Sequence, residues 1–383
     1  TRRARIIYAY RQLPMTPCST QIRDIPLRAC GVAACSLLLV VACNNTPPPD
    51  ALVIESQGNR PFGGVVSGDL KERAFACDHG YVDWQIPPNP RPFPLLFVHA
   101  SSKKTWESTF DGNREGFIPL FLRRGFATYT TDLPRTGQAG QACAPIRYDP
   151  GEQWSIQTSV TNWRYGRWLP GEDAPTFYPG VRFPTDDLRA LDEFYRVQTP
   201  EFDTPENEEI ETDALAVLLD EIGPSVVITH SSTGIRGWIT ATKTDNVAAI
   251  VSYEPGDFVY PQGELPEPIP MANGERHAAG REIPLDDFLS LTRMPIQIIW
   301  GDYIPRDIDP ANIGPLATLD FRRRNVVRAE LMVEAINRHG GNAENILLPD
   351  IGITGNTHFP MLDTNNVEIA DLLSAFLASQ GLD

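Results

Sequence analysis

Short apolar runs, each stopped by glycine, proline or a polar cluster, alternate along this chain with stretches of helical spacing. The segments Ala51-Leu-Val-Ile-Glu-Ser and Phe62-Gly-Gly-Val-Val-Ser predict short strands of an N-terminal β element. Tyr81-Val-Asp-Trp-Gln-Ile alternates and stops at Pro87-Pro88, which predicts another strand. Phe93-Pro-Leu-Leu-Phe-Val-His is almost unbroken in its apolarity, as a strand buried on both faces should be. A helix is predicted from Phe117 to a stop at Gly125, then a strand from Ala127 to Asp132. The second half repeats this grammar. Helices are predicted over 213–223 (capped by Thr212 or Asp213), 234–242, 322–339 and 367–379, and strands over 225–229, 247–254, 295–302 and 343–349. Strands alternating with helices define an α/β class, with a mainly parallel central sheet covered by helices on both faces.

Two regions break the alternation. From about 149 to 212 the chain is long, acidic and aromatic, with Trp154, Trp163, Tyr165, Trp168, Phe177, Tyr178 and Phe183. That composition is too apolar for a disordered linker; it fits a cap inserted over a pocket, or else a second packing layer. At the other end, residues 1–43 read as a targeting segment. Arg23 and Arg28 precede the apolar stretch 29–42, which has the length of a signal-peptide core and is too short to span a bilayer. Its end, Val40-Val41-Ala42-Cys43, resembles a bacterial lipobox, in which the cysteine is lipidated and becomes the mature N-terminus. A simple secretory signal or a buried N-terminal helix is the competing reading, and Met15 is an alternative start. Residues 44–50 then form a polar, proline-rich tether, and 51–383 the folded domain. The expected location is outside the cytoplasm, either in a bacterial cell envelope or secreted, with membrane contact only through the lipid.

Cysteine usage follows from that division. Cys18, Cys30, Cys35 and Cys43 fall within the leader, so Cys77 and Cys143 alone remain in the domain. In an exported protein such a pair invites one disulfide, although two buried free thiols fit as well. The formal charge of −16 over 383 residues argues against a nucleic-acid partner. No His-x-x-x-His or Cys-x-x-Cys pair and no Gly-x-Gly-x-x-Gly occurs, so no metal or cofactor is expected.

The candidate chemistry lies at Ile228-Thr-His-Ser-Ser-Thr-Gly234, between a predicted strand and a predicted helix. A nucleophile elbow, Gly-x-Ser-x-Gly, holds its serine in a strained turn with small flanking residues. Around Ser231 the flanks are Thr229 and Thr233; around Ser232 they are His230 and Gly234, and the bulkier histidine favours Ser231. Chain order strengthens the reading, since serine, carboxylate and histidine follow one another as in α/β-hydrolases. His358 follows the last predicted strand, which suits a general base. Glu254 and Asp302 end neighbouring strands, and either could orient it; Asp302 occupies the commoner position.

Several segments resemble a group of exported bacterial α/β-hydrolases of the esterase type. They are Lys104-Thr-Trp-Glu-Ser, Asp111-Gly, Arg114-Glu-Gly-Phe, Phe121-Leu-Arg-Arg-Gly-Phe, Thr229-His-Ser, Val251-Ser-Tyr-Glu-Pro-Gly, and Gly355-Asn-Thr-His-Phe-Pro with Asp363-Thr-Asn-Asn-Val-Glu-Ile-Ala-Asp. The resemblance spans most of 60–378 and implies the α/β-hydrolase fold, with Ser231 as nucleophile, His358 as base and Glu254 as acid. It departs from the group after His99, where Ala100-Ser101-Ser102-Lys103 is shorter and lacks glycine. The expected oxyanion donors are the backbone N–H of Ser232 and that of Ala100 or Ser101. The function implied is hydrolysis of a small or polymeric carboxylic ester through an acyl-enzyme. Amide, lactone or polyester hydrolysis would use the same parts, and a surface-anchored binding lipoprotein with a degenerate site is the non-enzymatic alternative.

Overall fold

The computed structural model describes residues 51–99, 101–147, 155–169, 171–309 and 317–383. The expected leader, tether and lipidation site Cys43 lie outside the described residues, as does Ala100. Eight strands form the central sheet: β1 (Ser56–Phe62), β2 (Gly80–Ile86), β3 (Leu95–Val98), β4 (Thr128–Asp132), β5 (Ser225–His230), β6 (Val247–Tyr253), β7 (Pro295–Trp300) and β8 (Asn342–Leu347). Their spatial order is β1-β2-β4-β3-β5-β6-β7-β8. Pairs β1–β2 and β2–β4 are antiparallel, and every other pair is parallel.

The inner parallel strands β3, β5, β6 and β7 are largely apolar because both their faces are covered, whereas the edge strand β8 is partly exposed. Along β3, Leu95 and Phe97 enter one core and Leu96 and Val98 the other, as the two-residue period of a strand requires. One face packs against helices α4 (Pro205–Ile222), α5 (Gly234–Lys243) and α6 (Ala317–Arg338). The opposite face packs against α1 (Phe117–Arg123), α3 (Leu188–Arg196) and α7 (Asn366–Ser379).

Several expectations change, the start of α6 at Ala317 in place of 322 among them. The first strand begins at Ser56, where Ser56 pairs with Ile86, and not at Ala51. It stops at Phe62 because Gly63 and Gly64 turn the chain at φ 59° and 77°; Val65–Asp69 then pairs with Arg73–Cys77 in an exposed hairpin. Helix α4 starts at Pro205 and not near Asp213. The Thr204 side chain accepts from the Asn207 N–H at 3.2 Å, a cap that the acidic, weakly periodic first turns concealed.

The insertion therefore ends at Thr204, short of 212, because α4 belongs to the sheet layers. Its described part holds α2 (Ile156–Asn162), a two-residue ladder between Gly166–Arg167 and Thr176–Phe177, and α3. Tyr165, Phe183 and Phe194 are buried in the core, and Trp163 and Phe194 pack on Phe359 at 5.1 and 4.9 Å between ring centroids. The segment covers the loop that carries His358. Cys77 and Cys143 form a disulfide that ties the exposed hairpin to the loop after β4.

Candidate active site

Strand β5 delivers the chain to Ser231 at φ 55°, and a tight turn through Thr233 leads into α5. A left-handed conformation at a non-glycine residue is strained and lifts the side chain above the strand end. The threonines that replace the expected glycines are accommodated by their hydroxyls. Thr229 Oγ1 donates to Ser252 Oγ at 2.8 Å; Thr233 Oγ1 accepts from the His230 N–H at 3.0 Å and lies 2.8 Å from the His230 carbonyl. The close approach falls instead on Gly234, where a Cβ would stand 2.4 Å from Pro255 Cβ.

His358 Nε2 lies 3.0 Å from Ser231 Oγ, and its Nδ1 lies 2.7 Å from Glu254 Oε2. Glu254 ends β6, also at positive φ (51°), and is fully buried. Its carboxylate accepts from the Gly301 N–H at 2.7 Å and is held by a two-pronged Arg164, whose Nη1 reaches Oε2 at 2.8 Å. Burial alone would raise the Glu254 pKa, but the Arg164 guanidinium and His358 overcome it and hold the carboxyl well below the usual range. Burial, with Arg322 close by, pushes His358 down to about 3 against the opposing pull of Glu254. A neutral imidazole beside an ionised carboxylate is the form in which Nε2 accepts a proton and Nδ1 donates to Glu254.

The alternative acid, Asp302, sits elsewhere. Its carboxylate accepts from the backbone N–H groups of Gly355 and Tyr303, at 2.8 and 2.6 Å, and its carbonyl accepts from Arg164 Nε at 2.7 Å. Ser232 turns its hydroxyl to Glu201 Oε2 at 2.8 Å, away from His358. Its backbone N–H opens the turn into α5, where amide donors lack intrahelical acceptors. The N–H groups of Ser101 and Ser102, in contrast, both point to His99 Nδ1 at 3.1 Å. Because Nδ1 accepts, His99 Nε2–H donates to His230 Nδ1 (3.0 Å), and His230 Nε2–H donates to the His358 carbonyl (2.7 Å). Two buried neutral histidines thus tie the loop after β3 to the backbone of the candidate base.

The loop bearing His358 is pinned from a third side. Asp363 accepts from the Thr357 N–H (2.7 Å), the Thr357 hydroxyl (2.9 Å) and Asn356 Nδ2 (3.0 Å). Arg114, itself paired with Asp111, donates to the carbonyl of Leu362 at 2.9 Å and also to that of Asp363. The motif blocks around Asp111, Arg114, Gly355 and Asp363 are therefore one polar network.

Sequence reasoning missed Arg164, Arg322 and the histidine relay. Arg164 lay in the aromatic insertion with no motif around it. Arg322 belonged to a run, Arg322-Arg323-Arg324, that reads as a solvated helix face. His99 and His230 were each visible, but nothing in their spacing couples them. Among the described residues no group of His, Cys, Asp and Glu could hold a metal ion, and no helix is long and apolar enough to cross a membrane.

Sheet order, the strained serine after β5 and the histidine after β8 define the α/β-hydrolase fold. Comparison with known proteins agrees on the fold. The chain is 28% identical over 318 residues to the probable secreted lipase phiG of Fungal sp. (strain ATCC 74256), covering 78% of this chain and 86% of that one. A bacterial esterase of known structure superposes with a TM-score of 0.64 at 22% identity, covering 87% of this chain and 98% of the esterase. No family model matches the sequence.

Proposed function

We propose that this chain is a serine hydrolase that cleaves a carboxylic ester through an acyl-enzyme on Ser231. The reading rests on one observation: an unbroken chain from Ser231 Oγ through His358 to the buried Glu254, at 3.0 and 2.7 Å. Ser231 Oγ attacks the ester carbonyl while His358 Nε2 takes its proton. Glu254 holds the ring in the required tautomer and stabilises the imidazolium. The tetrahedral intermediate places its oxyanion at the Ser232 N–H, at the positive end of α5. His358 returns the proton to the departing alcohol, and a water activated by the same nitrogen releases the acid and restores Ser231. The lipase and esterase names of the relatives point to the same bond. Amide, lactone and polyester substrates use the same sequence of steps, and a panel of each separates them.

A binding protein with a degenerate site is the second reading. It draws on the commitment of the Ser101 N–H to His99, which removes one expected oxyanion donor. Fluorophosphonate labelling decides between them. Wild type and Ser232→Ala should label and hydrolyse p-nitrophenyl butyrate, and Ser231→Ala should do neither. Labelling that survives Ser231→Ala and vanishes in Ser232→Ala moves the nucleophile by one residue; a folded, unlabelled wild type leaves the binding reading.

Export goes with this function on the strength of the leader-like segment 1–43 and the description of the fungal relative as secreted. Anchoring through Cys43 rests on the lipobox resemblance alone. Fractionation of cells carrying Cys43→Ala tests it: release into the medium supports the anchor, and an unchanged distribution removes it.

A further inference from the structure

Arg322 is a buried charge that the triad leaves unbalanced. It sits in the second turn of α6, 2% exposed, with its guanidinium 3.5 Å from His358 Nε2, the nitrogen that faces Ser231. That distance is a contact and a poor hydrogen bond. Among the described residues Arg322 Nε makes no hydrogen bond; nor does the side-chain nitrogen of Asn325, one turn further along and fully buried. Asn325 Oδ1 accepts from Arg328, which is itself fixed by the Gly256 carbonyl and Asp257. The Gly256 N–H in turn donates to the Ser231 carbonyl at 2.9 Å. The amide is therefore tied through Arg328 and Gly256 to the nucleophile's backbone.

Glu254 cannot neutralise both arginines. Its oxygens are already taken by Arg164, His358 and Gly301. Asp363, the other buried carboxyl of this region, is held by Thr357 and Asn356, and burial raises it to about 7. Among the described residues, two buried guanidiniums thus stand close to Glu254, and only Arg164 is hydrogen-bonded to it. An unpaired buried cation is costly, and an apolar side chain would fill the same space without that cost. Burial lowers Arg322 to about 10, so it remains charged at neutral pH.

We infer that Arg322, with Asn325 beside it, forms a carboxylate-binding subsite, and that the substrate is an ester whose alcohol portion carries a carboxylate near the scissile bond. This rests on the ester-hydrolase reading above. A monoanion matches a surplus of one positive charge, whereas a phosphate dianion would bury a negative charge in its place. A guanidinium edge and an amide N–H₂ are donors only, which suits a planar, acceptor-only carboxylate. The side is fixed by His358 Nε2, which gives its proton to the leaving alcohol and lies against the same guanidinium. One water is consumed, and the products are the acyl acid and a hydroxy carboxylate.

The test compares 3-butyryloxybenzoate with its methyl ester, which share acyl group and ring and differ in charge. Wild type should favour the carboxylate in kcat/KM by roughly 10- to 100-fold. Arg322→Gln should bring that ratio close to one, and Arg322→Lys, which keeps charge without the fork, should fall between. Binding of 3-butyryloxybenzoate to Ser231→Ala, followed by calorimetry, should be lost on adding Arg322→Gln. A wild-type ratio at or below one, or a ratio that Arg322→Gln leaves unchanged, overturns the subsite while ester hydrolysis stands. Arg322-dependent binding to Ser231→Ala with neither ester turned over by wild type keeps the subsite and removes the ester reading. Should Arg322→Gln fail to fold, the wild-type pair and Arg322→Lys decide.

Discussion

Glu254 and Asp302 end neighbouring parallel strands, β6 and β7; one meets the ring of His358 and the other the loop that carries it. Glu254 meets the imidazole ring directly, and Arg164 and the Gly301 N–H keep it ionised. Asp302 meets the backbone: its carboxylate holds the Gly355 N–H, and its own N–H donates to the Asn356 carbonyl at 2.7 Å, so it shapes the loop from which His358 projects. What separates them is the left-handed turn at Glu254, which lifts its carboxylate beneath the ring, together with a buried cation to pair with. Between these two strand-end carboxylates, the neighbours and not the place in the strand order mark Glu254 as the candidate acid.

The strongest way to break that distinction is Glu254→Gln. An amide there can donate to His358 Nδ1 and favour the wrong tautomer, so kcat on a neutral p-nitrophenyl ester should fall by roughly 10³- to 10⁴-fold. An active Glu254→Gln beside an inactive Asp302→Asn would exchange the two roles. Arg164→Met comes next. It takes from Glu254 the cation that hydrogen-bonds it and leaves Arg322 as the nearby charge, so chemical denaturation should show a loss of about 1–3 kcal/mol. In a double-mutant cycle with Glu254→Gln the two losses should combine to much less than their sum, because each removes one half of the same pair. Additive losses would mean that Arg164 acts through Asp302 instead.

Asp302→Asn should be milder. Asparagine keeps one acceptor for the Gly355 N–H, so about 1–2 kcal/mol of stability should be lost, with no more than about a tenfold fall in kcat. Both are read from a melting curve and initial rates on the same ester. A loss of kcat as large as that of Glu254→Gln would put Asp302 in the reaction.

How much of this was legible beforehand follows the same line. The apolar runs carried the inner parallel strands because those are buried on both faces, and marked ends carried α5 and α7. Periodicity placed α4 late, since a helix that begins Pro205-Glu-Asn-Glu-Glu shows no apolar stripe, and it ran a strand across Gly63-Gly64. Ser231 and His358 stood out by chain order. The choice between Glu254 and Asp302 had to come from a resemblance, because the turn that lifts Glu254 is a tertiary feature with no local sequence signal. Arg164 and Arg322 were invisible for a simpler reason: a buried arginine and a solvated one look alike in sequence, and only packing shows which carboxylate each one faces.

The smallest expected effect concerns pH, and it sharpens the comparison further. Burial and Arg322 depress His358 to about 3, while Glu254 opposes them. In the proposed mechanism the neutral ring is the base, so activity is lost as pH falls through the folded-state pKa. Initial rates on a neutral ester should stay nearly flat between about pH 5 and 8 and decline only below, in place of the usual limb near 6.5. Stability follows a different window. Unfolded histidine titrates near 6.5, whereas His358 and His99 are both held to about 3, so the native state refuses protons that the unfolded chain accepts. Their contribution is fully present above 6.5 and is lost progressively as pH falls from there toward 3. The protein should therefore melt at lower temperature at pH 5 than at pH 7 while its initial rate is still undiminished. Glu254→Gln removes the charge that favours imidazolium and should move the residual acid limb lower, whereas Asp302→Asn should leave it in place. A wild-type limb near 6.5, or a shift produced by Asp302→Asn, would show that the ring is not buried between Glu254 and Arg322 in solution.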